Sequence, residues 1–279
     1  MSPHEPRTGI SRDTLLCISL AGRPGNFGTR FHNHLYQALG LDYVYKAFTT
    51  TDLPAAIGGV RALGIRGCAV SMPFKEACIP LLDSLQPSAA RLQSVNTIVN
   101  EGGRLVAHNT DYVAVAALLR THGVDPATRF VLRGSGGMAR AVLAALVDHG
   151  LRGMLVARNA QAGPAVAALH GLPWQAGLGD AAQADGALLV NVTPLGMAGA
   201  QAEVQSFPDD WVARAARVFD VVALPAETPL LRAARRLGRP VIGGDEVIVL
   251  QAVEQFVLYT GVRPSAAQIA AAAAHARAI

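Results

Sequence analysis

What this chain has little of narrows its function before any motif is read. Aromatic residues make up 5% of its 279 positions, too few for the rows of stacking platforms that hold single-stranded nucleic acid. Charged residues make up 16%, and no Lys/Arg-rich run accompanies the formal net charge of +4. That mild positive balance suits an anionic small molecule as well as a polynucleotide, and no nucleic-acid partner is expected. Cysteine is scarce and odd in number: Cys17, Cys68 and Cys78, with no C-x-x-C spacing and no histidine cluster beside them. These read as reduced, mostly buried thiols, so neither a disulfide framework nor a metal site is expected. No uncharged apolar stretch reaches the roughly 20 residues of a membrane span, and no membrane partner is expected. The first ten residues are polar with two prolines and do not resemble a signal peptide. The expected location is cytoplasmic. Internal repeats and low-complexity linkers are lacking as well.

What is present is apolar and alternating. A composition that is 51% hydrophobic supports sizeable cores, and the length allows one large or two ordinary domains. Strand-like and helix-like segments alternate throughout, which points to an α/β class with mainly parallel sheets. In the first half, strands are expected at 14–20, 43–48 and 67–72, helices at 29–39, 52–63 and 76–82, and a hairpin at 94–100 and 104–108. A helix from Asn109 to about His122 follows. In the second half, strands are expected at 130–133, 153–157, 186–191, 218–222 and 240–242, with helices between them. Two last helices, at 246–259 and 264–278, have no strand after them and are expected to pack back on the first domain. The pattern thus divides into a substrate-binding and catalytic domain at 1–110, a Rossmann-type nucleotide-binding domain at 111–243 and C-terminal helices at 244–279.

The nucleotide reading rests on the run from Phe130 to Ala139. A buried strand breaks into Gly134-Ser135-Gly136-Gly137 and opens a helix at Met138-Ala139. One glycine allows the tight turn, and another lets the backbone approach a pyrophosphate. The small Ala139 lets the helix pack on the strand, and the helix N-terminus faces the phosphate charge. Alone the pattern is weak, because glycine turns between strand and helix are common. The next strand ends in Ala157-Arg158-Asn159, where NAD-selective sites usually carry an acid for the ribose 2′-hydroxyl. A guanidinium there suits a 2′-phosphate and favours NADP, with NAD still possible. A solvated arginine at a strand end is the plainer alternative.

A second group of polar residues lies in the first half. Ser71 and Lys75 flank Pro73 beyond a strand, Asn96 follows Val95, and Asp111 stands at a helix start. A lysine beside a carboxylate can move a proton to or from a substrate oxygen while hydride moves to or from a nicotinamide. On the residues alone, Lys75 reads as a surface lysine and Asp111 as a plain helix N-cap.

The motifs in order change this. Met72-Pro73-Phe74-Lys75, Ser94-Val95-Asn96-Thr97, Asn109-Thr110-Asp111, the glycine turn, Asn191-Val192-Thr193-Pro194-Leu195-Gly196-Met197, Thr228-Pro229-Leu230 and Gln251-Ala252-Val253 before Phe256 resemble the shikimate dehydrogenase family over nearly the whole chain. That family reduces 3-dehydroshikimate to shikimate with NADPH. The resemblance implies Lys75 and Asp111 as the catalytic pair. It implies Asn96 and Gln251 as partners of substrate hydroxyls, with Ser71 in place of the usual Thr. Asn191 and Thr193 fall where the family chain passes the nicotinamide, unless they only shape a Pro-containing turn. Val222 and Gly244 are assigned to the cofactor as well. A monomer or homodimer is expected, and the family is tied to aromatic amino-acid biosynthesis.

The resemblance is broken in one region. The family carries Ser-x-Ser-Pro-x-x-His-Asn, whose serines hold the substrate carboxylate. Here Asn26-Phe27-Gly28 precedes Thr29-Arg30-Phe31-His32-Asn33. Asn26 still offers a hydrogen bond, whereas Gly28 has no side chain. Ala69 replaces a usual Asn, and Ala223 a usual Tyr. Arg23 or Arg30 is a candidate for the carboxylate, against the plainer reading as solvated arginines. The combination resembles a divergent shikimate dehydrogenase-like subgroup, whose members need not serve the aromatic pathway. An NADP-dependent oxidoreductase acting on shikimate/3-dehydroshikimate or a related cyclic hydroxy acid, with weakened or altered specificity, is the leading expectation. A cofactor-binding sensor or regulatory protein with vestigial dehydrogenase activity is the alternative.

Overall fold

The structure is a computed structural model and describes residues 9–278. These fall into two compact units, one holding the residues up to Thr110 together with those from Gln251 onward, the other Asp111–Leu250.

In the first unit β1 (Leu15–Leu20), α1 (Phe27–Ala38), β2 (Tyr43–Phe48), α2 (Leu53–Ala62), β3 (Gly67–Val70), α3 (Phe74–Ala77), β4 (Ser84–Leu85), α4 (Pro87–Leu92), β5 (Thr97–Glu101) and β6 (Arg104–His108) follow in order. They form a six-stranded sheet, β2-β1-β3-β5-β6-β4. Strand β1 pairs in parallel with β2 and β3, but β5 runs antiparallel to both β3 and β6. This sheet is therefore mixed, parallel among β2, β1 and β3 and antiparallel through the expected hairpin of β5 and β6. Gly102 and Gly103, both at positive φ, close a two-residue turn, and so short a link joins only antiparallel neighbours. The pieces β4 and α4 escape the sequence pattern because they are too short to show a period. The helix expected at 76–82 starts earlier, at Phe74, and gives way to a 3₁₀ turn at Ile79–Leu81. Ile18, Leu20, Ile57, Val60, Val70, Ile98 and Leu105 form the apolar core on one face.

The second unit runs from α5 (Thr110–Thr121, its first residue in the first unit) through β7 (Arg129–Arg133), α6 (Gly137–Asp148), β8 (Arg152–Val156), α7 (Ala162–Ala168), β9 (Trp174–Gln175), β10 (Leu188–Asn191), α8 (Asp209–Arg214), β11 (Arg217–Asp220), α9 (Pro229–Arg236) and β12 (Val241–Gly243). Its sheet, β12-β11-β10-β7-β8-β9, is parallel throughout. The order reverses between β7 and β10, which is the switch point beyond whose strand ends ligands bind in such sheets. Successive strand residues serve different cores. Phe130, Leu132, Leu188 and Val190 pack on one face, Val131 and Leu189 on the other. Burial on both faces is why these strands read as unbroken apolar runs.

The helix α10 (Gly244–Thr260) begins in the second unit and continues into the first from Gln251, and α11 (Ala266–Arg277) packs along α1. A capping box of Ser265 and Gln268 starts α11, satisfying N–H groups that a helix leaves open. Among the described residues no helix is long and apolar enough to cross a membrane, and the three cysteines are buried and free.

One contact fixes where the last turns of α10 lie on the first sheet. Tyr259 is fully buried over β3, and a Cβ added to Gly67 would overlap its ring. Only a strand position without a side chain admits the ring this closely. Gly67→Ala should therefore destabilise the protein by about 1–3 kcal/mol, read as a lowered urea midpoint. An unchanged midpoint would mean that Tyr259 is not held there.

Candidate functional site

In the second unit the chain leaves β7 at Arg133 and turns at Gly134, φ +122. The Gly134 N–H donates to Val156 O at 2.9 Å. A Cβ at Gly134 would lie 2.8 Å from Val192 Cγ2 and 3.1 Å from the Val192 carbonyl carbon. Both conformation and space thus demand glycine. Gly136, the N-cap of α6, is the opposite case: a Cβ there would meet nothing within 4 Å. Open space in front of a helix N-terminus, with unpaired N–H groups and the positive end of the dipole, suits an anion. Ser135 and Met138 border it, Gly137 opens the helix, and Ala139 is buried in the core. Beyond β8, Arg158 is exposed, and the next residue, Asn159, accepts the N–H groups of Gln161 and Ala162, each at 2.9 Å. This cradle and its cation have the shape and charge for a dinucleotide.

Asn191 and Thr193 are engaged with the protein itself. The Asn191 amide donates to Asp220 Oδ1 at 2.9 Å and Leu195 O at 3.2 Å, and its oxygen accepts from the Thr193 hydroxyl at 2.6 Å and N–H at 3.1 Å. What this segment can offer a ligand is the backbone these bonds shape. Gly244 lies so close to Val221 and Val222 that a Cβ would overlap their backbone, so the two assigned residues Val222 and Gly244 meet at the ends of β11 and β12. The sequence reading missed Asp220, a fully buried acid that also accepts from Thr228 Oγ1 at 2.7 Å and the Val222 N–H at 3.1 Å. An aspartate closing an apolar strand was the available signal.

In the first unit Lys75 is half-buried on the single turn of α3. The Val95 N–H donates to Lys75 O at 2.8 Å and the Phe74 N–H to Ser71 O at 2.9 Å. Ser71, just after β3, and Asn26, before α1, are both exposed. Asn96 is 2% exposed and fully committed. Its oxygen accepts from the Thr110 N–H at 2.8 Å and the Thr97 hydroxyl at 2.9 Å. Its NH₂ donates to Thr110 Oγ1 at 2.9 Å and Gln251 Oε1 at 3.4 Å. Gln255, one helical turn past Gln251, also donates to Gln251 Oε1 at 3.4 Å and to Thr97 Oγ1 at 3.1 Å. With its oxygen so engaged, Gln251 presents N–H donors to a ligand. Gln255, Thr97 and Thr110 were not singled out in the sequence, although an i, i+4 pair of glutamines on one helix was a visible cue. Asp111 is buried at the start of α5.

His32 and Asn33, which keep the register of the broken motif, hold β2. Asn33 Nδ2 donates to Tyr45 O and Asn33 Oδ1 accepts the Tyr45 N–H, both at 2.8 Å. The His32 ring stacks on Tyr45 with centroids 4.5 Å apart. Burial brings the imidazole pKa down to about 3, so the ring is neutral. Gly28 faces this tyrosine: a Cβ would stand 3.6 Å from Tyr45 Oη. Ala69 pairs with Ser19 and Thr97. Ala223 and Arg30 are half-buried, and Arg23 is exposed.

Residues 27–98 match the family model for the shikimate dehydrogenase substrate binding domain. A relative from Haemophilus influenzae, named a shikimate dehydrogenase-like protein, is 53% identical over 270 residues, covering 96% of this chain and 98% of its own. The chain belongs to the shikimate dehydrogenase family. Another relative of that family, shikimate dehydrogenase (NADP(+)) of Moorella thermoacetica, is 39% identical over 259 residues, 88% of each chain. The solved shikimate 5-dehydrogenase of Thermus thermophilus, in complex with NADP(H) and shikimate, superimposes with a TM-score of 0.84 at 30% identity, covering 94% of this chain and 99% of that one. The family's two-domain α/β architecture is thus the architecture of this protein.

Asp220 gives the family fold here a pH dependence. Burial raises its pKa from 3.8 to about 6, against the bonds from Thr228, Val222 and Asn191, which lower it. A folded pKa above the unfolded value means stability that is complete below about pH 4 and is lost as pH rises through about 6. The loss amounts to roughly 3 kcal/mol. Urea titrations should show this loss in the natural chain and a flatter profile across that window in Asp220→Asn. Parallel profiles would show that Asp220 titrates normally.

Proposed function

We propose that the chain is an NADP-dependent dehydrogenase that moves a hydride between NADP(H) and a ring carbon of shikimate or a related cyclic hydroxy acid, with substrate preference shifted from that of serine-bearing relatives. The observation that carries this reading is the open glycine cradle at Gly134–Gly137 with Arg158 exposed beyond the next strand, alongside retained Lys75 and Asp111. In this reading the first unit takes the substrate and the second the cofactor. The backbone of Gly134, Ser135, Gly136, Gly137 and Met138 receives the pyrophosphate, and Ala139 lets α6 pack close. Arg158 meets the 2′-phosphate. Asn191 and Thr193 hold the loop on the nicotinamide side, and Val222 and Gly244 line it with backbone.

When bound, the cofactor supplies or takes the hydride; the protons fall to the protein. In the reducing direction Lys75 Nζ gives a proton to the carbonyl oxygen of the ring ketone as the carbonyl carbon gains the hydride, with Asp111 as the carboxylate partner of that lysine. In the oxidising direction Lys75 takes the hydroxyl proton. Gln251 donates to a substrate oxygen. Asn96, its own amide bonded to Thr110 and Thr97, orients Gln251. Asn26 and Ser71, both exposed, contact the rim of the substrate. A hydroxyl lost at Gly28 leaves a carboxylate with one fewer donor, and a bond to a charged group is worth about 1.5–3 kcal/mol. This is the physical basis for a shifted preference. A sensor would need no proton-transfer pair, so the retention of Lys75 and Asp111 counts against that alternative.

The test follows nicotinamide absorbance with NADP and with NAD against shikimate, quinate and other cyclic hydroxy acids. Turnover with at least one is expected, and none with any would overturn the reading. Lys75→Ala should lower turnover by roughly 10²- to 10⁴-fold while NADP still binds. The double variant Asn26→Ser, Gly28→Ser should lower the KM for shikimate by roughly tenfold or more. A KM that does not fall would remove the missing serine as the cause of altered preference.

A further inference from the structure

The strand ends of the second sheet bring together two arginines that the sequence keeps apart. Strands β7 and β8 are parallel neighbours, with Arg133 opposite Val156. Side chains alternate along a strand, so Arg133 shares a face with Val131, and Arg158 continues the face of Val156. Val131 and Val156 belong to one core cluster with Phe207 and Trp211. Both guanidiniums therefore emerge on that face, where β7 and β8 end. The β arrangement continues past Val156, since the Ala157 N–H donates to Gln175 O at 3.0 Å.

Stability does not explain Arg133. It is half-buried next to the core, in a strand whose preceding residues, Phe130, Val131 and Leu132, are apolar. Its Nη1 donates to the carbonyl of Ser206, which fixes the head but uses one of five donors. Neither Arg133 nor Arg158 forms an ion pair among the described residues. Withdrawal from water disfavours the Arg133 cation, and the charge on Arg158 disfavours it further. Two cations facing each other without a counter-charge cost free energy until an anion lies between them.

We propose that Arg133 is the second arm of the 2′-phosphate site, closing with Arg158 a two-guanidinium clamp that sets the preference for NADP over NAD. This rests on the NADP reading above. The pyrophosphate has its own place at the start of α6, after β7. The adenosine ribose of a dinucleotide lies by the end of the second strand, which is β8, where this pair stands. A phosphate monoester carries close to two negative charges at neutral pH and offers several acceptors to forked donors. The neutral hydroxyl of NAD offers neither, so the pair discriminates by charge. Arg133 acts as a binding residue with no part in proton transfer.

The experiment measures Kd for NADP⁺, NAD⁺ and 2′,5′-ADP on the full chain by calorimetry, for the natural protein and for Arg133→Leu, Arg133→Lys and Arg158→Leu. Thermal melts confirm that each is folded. Arg133→Leu should weaken NADP⁺ and 2′,5′-ADP by roughly 10- to 100-fold and leave NAD⁺ within about twofold. Arg133→Lys should recover part of the loss, because it restores the charge but not the fork. If Arg158→Leu lowers the NADP⁺ preference while Arg133→Leu does not, the second arm is disproved and the NADP reading stands. Equal losses for NADP⁺ and NAD⁺ in Arg133→Leu would show a purely structural arginine and also overturn the proposal. A natural protein that binds NAD⁺ as tightly as NADP⁺ would instead sink the reading on which it rests.

Discussion

The hydrogen bonding of the Asn96 amide is the interaction on which the arrangement of the first unit's polar residues depends. Four protein groups occupy its two heteroatoms: the N–H and hydroxyl of Thr110, the hydroxyl of Thr97 and the side-chain carbonyl of Gln251. Those groups come from the start of α5, the start of β5 and the middle of α10, so one side chain fixes three elements distant in sequence. In a buried site every one of these bonds counts, because removing a partner leaves the others desolvated and unpaired, at about 1–3 kcal/mol each. The neighbouring backbone extends the effect to Lys75. A helix of a single turn does not hold itself together, and α3 relies on the bond from Val95 N–H to Lys75 O. The position of the proposed proton donor therefore follows from how Asn96 seats the entry to β5.

The second unit solves the same problem with a carboxylate. Asp220 collects Asn191, Thr228 and the Val222 N–H, and Asn191 in turn fixes Thr193. Parallel strands end together at the switch point, and the loops leaving them carry backbone groups that the sheet no longer pairs. A buried acceptor with several partners ties those loops down at the cost of desolvating the acid, which is the reason its pKa rises. The loop then brings Val192 against Gly134 so closely that no side chain fits there. The glycine of the dinucleotide turn is thus required by a neighbouring loop as well as by its own φ.

Features with a long apolar period were legible in the sequence. The parallel strands of the second sheet, buried on both faces, stand out as runs such as Phe130-Val131-Leu132, and the glycine turn follows one of them directly. In the first sheet the hairpin of β5 and β6 was legible from Gly102-Gly103, but the antiparallel pairing of β3 with β5 was not, because the stretch of chain between them carries no local pattern of direction. Asn96 and Asn191 were found as motif residues, but their roles as internal hubs depend on partners such as Gln251 and Asp220 that only folding brings near. Arg133 escaped for the same reason. No second arginine follows Arg158 closely along the chain, whereas the sheet supplies one from the neighbouring strand.

This contrast also explains which parts of the family pattern this chain keeps. Asn96, Thr97, Thr110 and Asn191 sit inside saturated hydrogen-bond networks, and Gln251 is held through its oxygen, so changing any of them disturbs the fold. Asn26 and Ser71 are exposed, and Asn26 does not cap α1 with its side chain. The serine position at Gly28 has room for a Cβ at ordinary contact distance from Tyr45, while Asn33 and His32 hold Tyr45 regardless of what residue 28 is. Substitutions at 26, 28 and 71 therefore cost the fold little. A fold arranged in this way lets residues at these exposed positions change while the hydrogen-bonded supports stay fixed, which is the combination of retained and altered residues that this sequence carries.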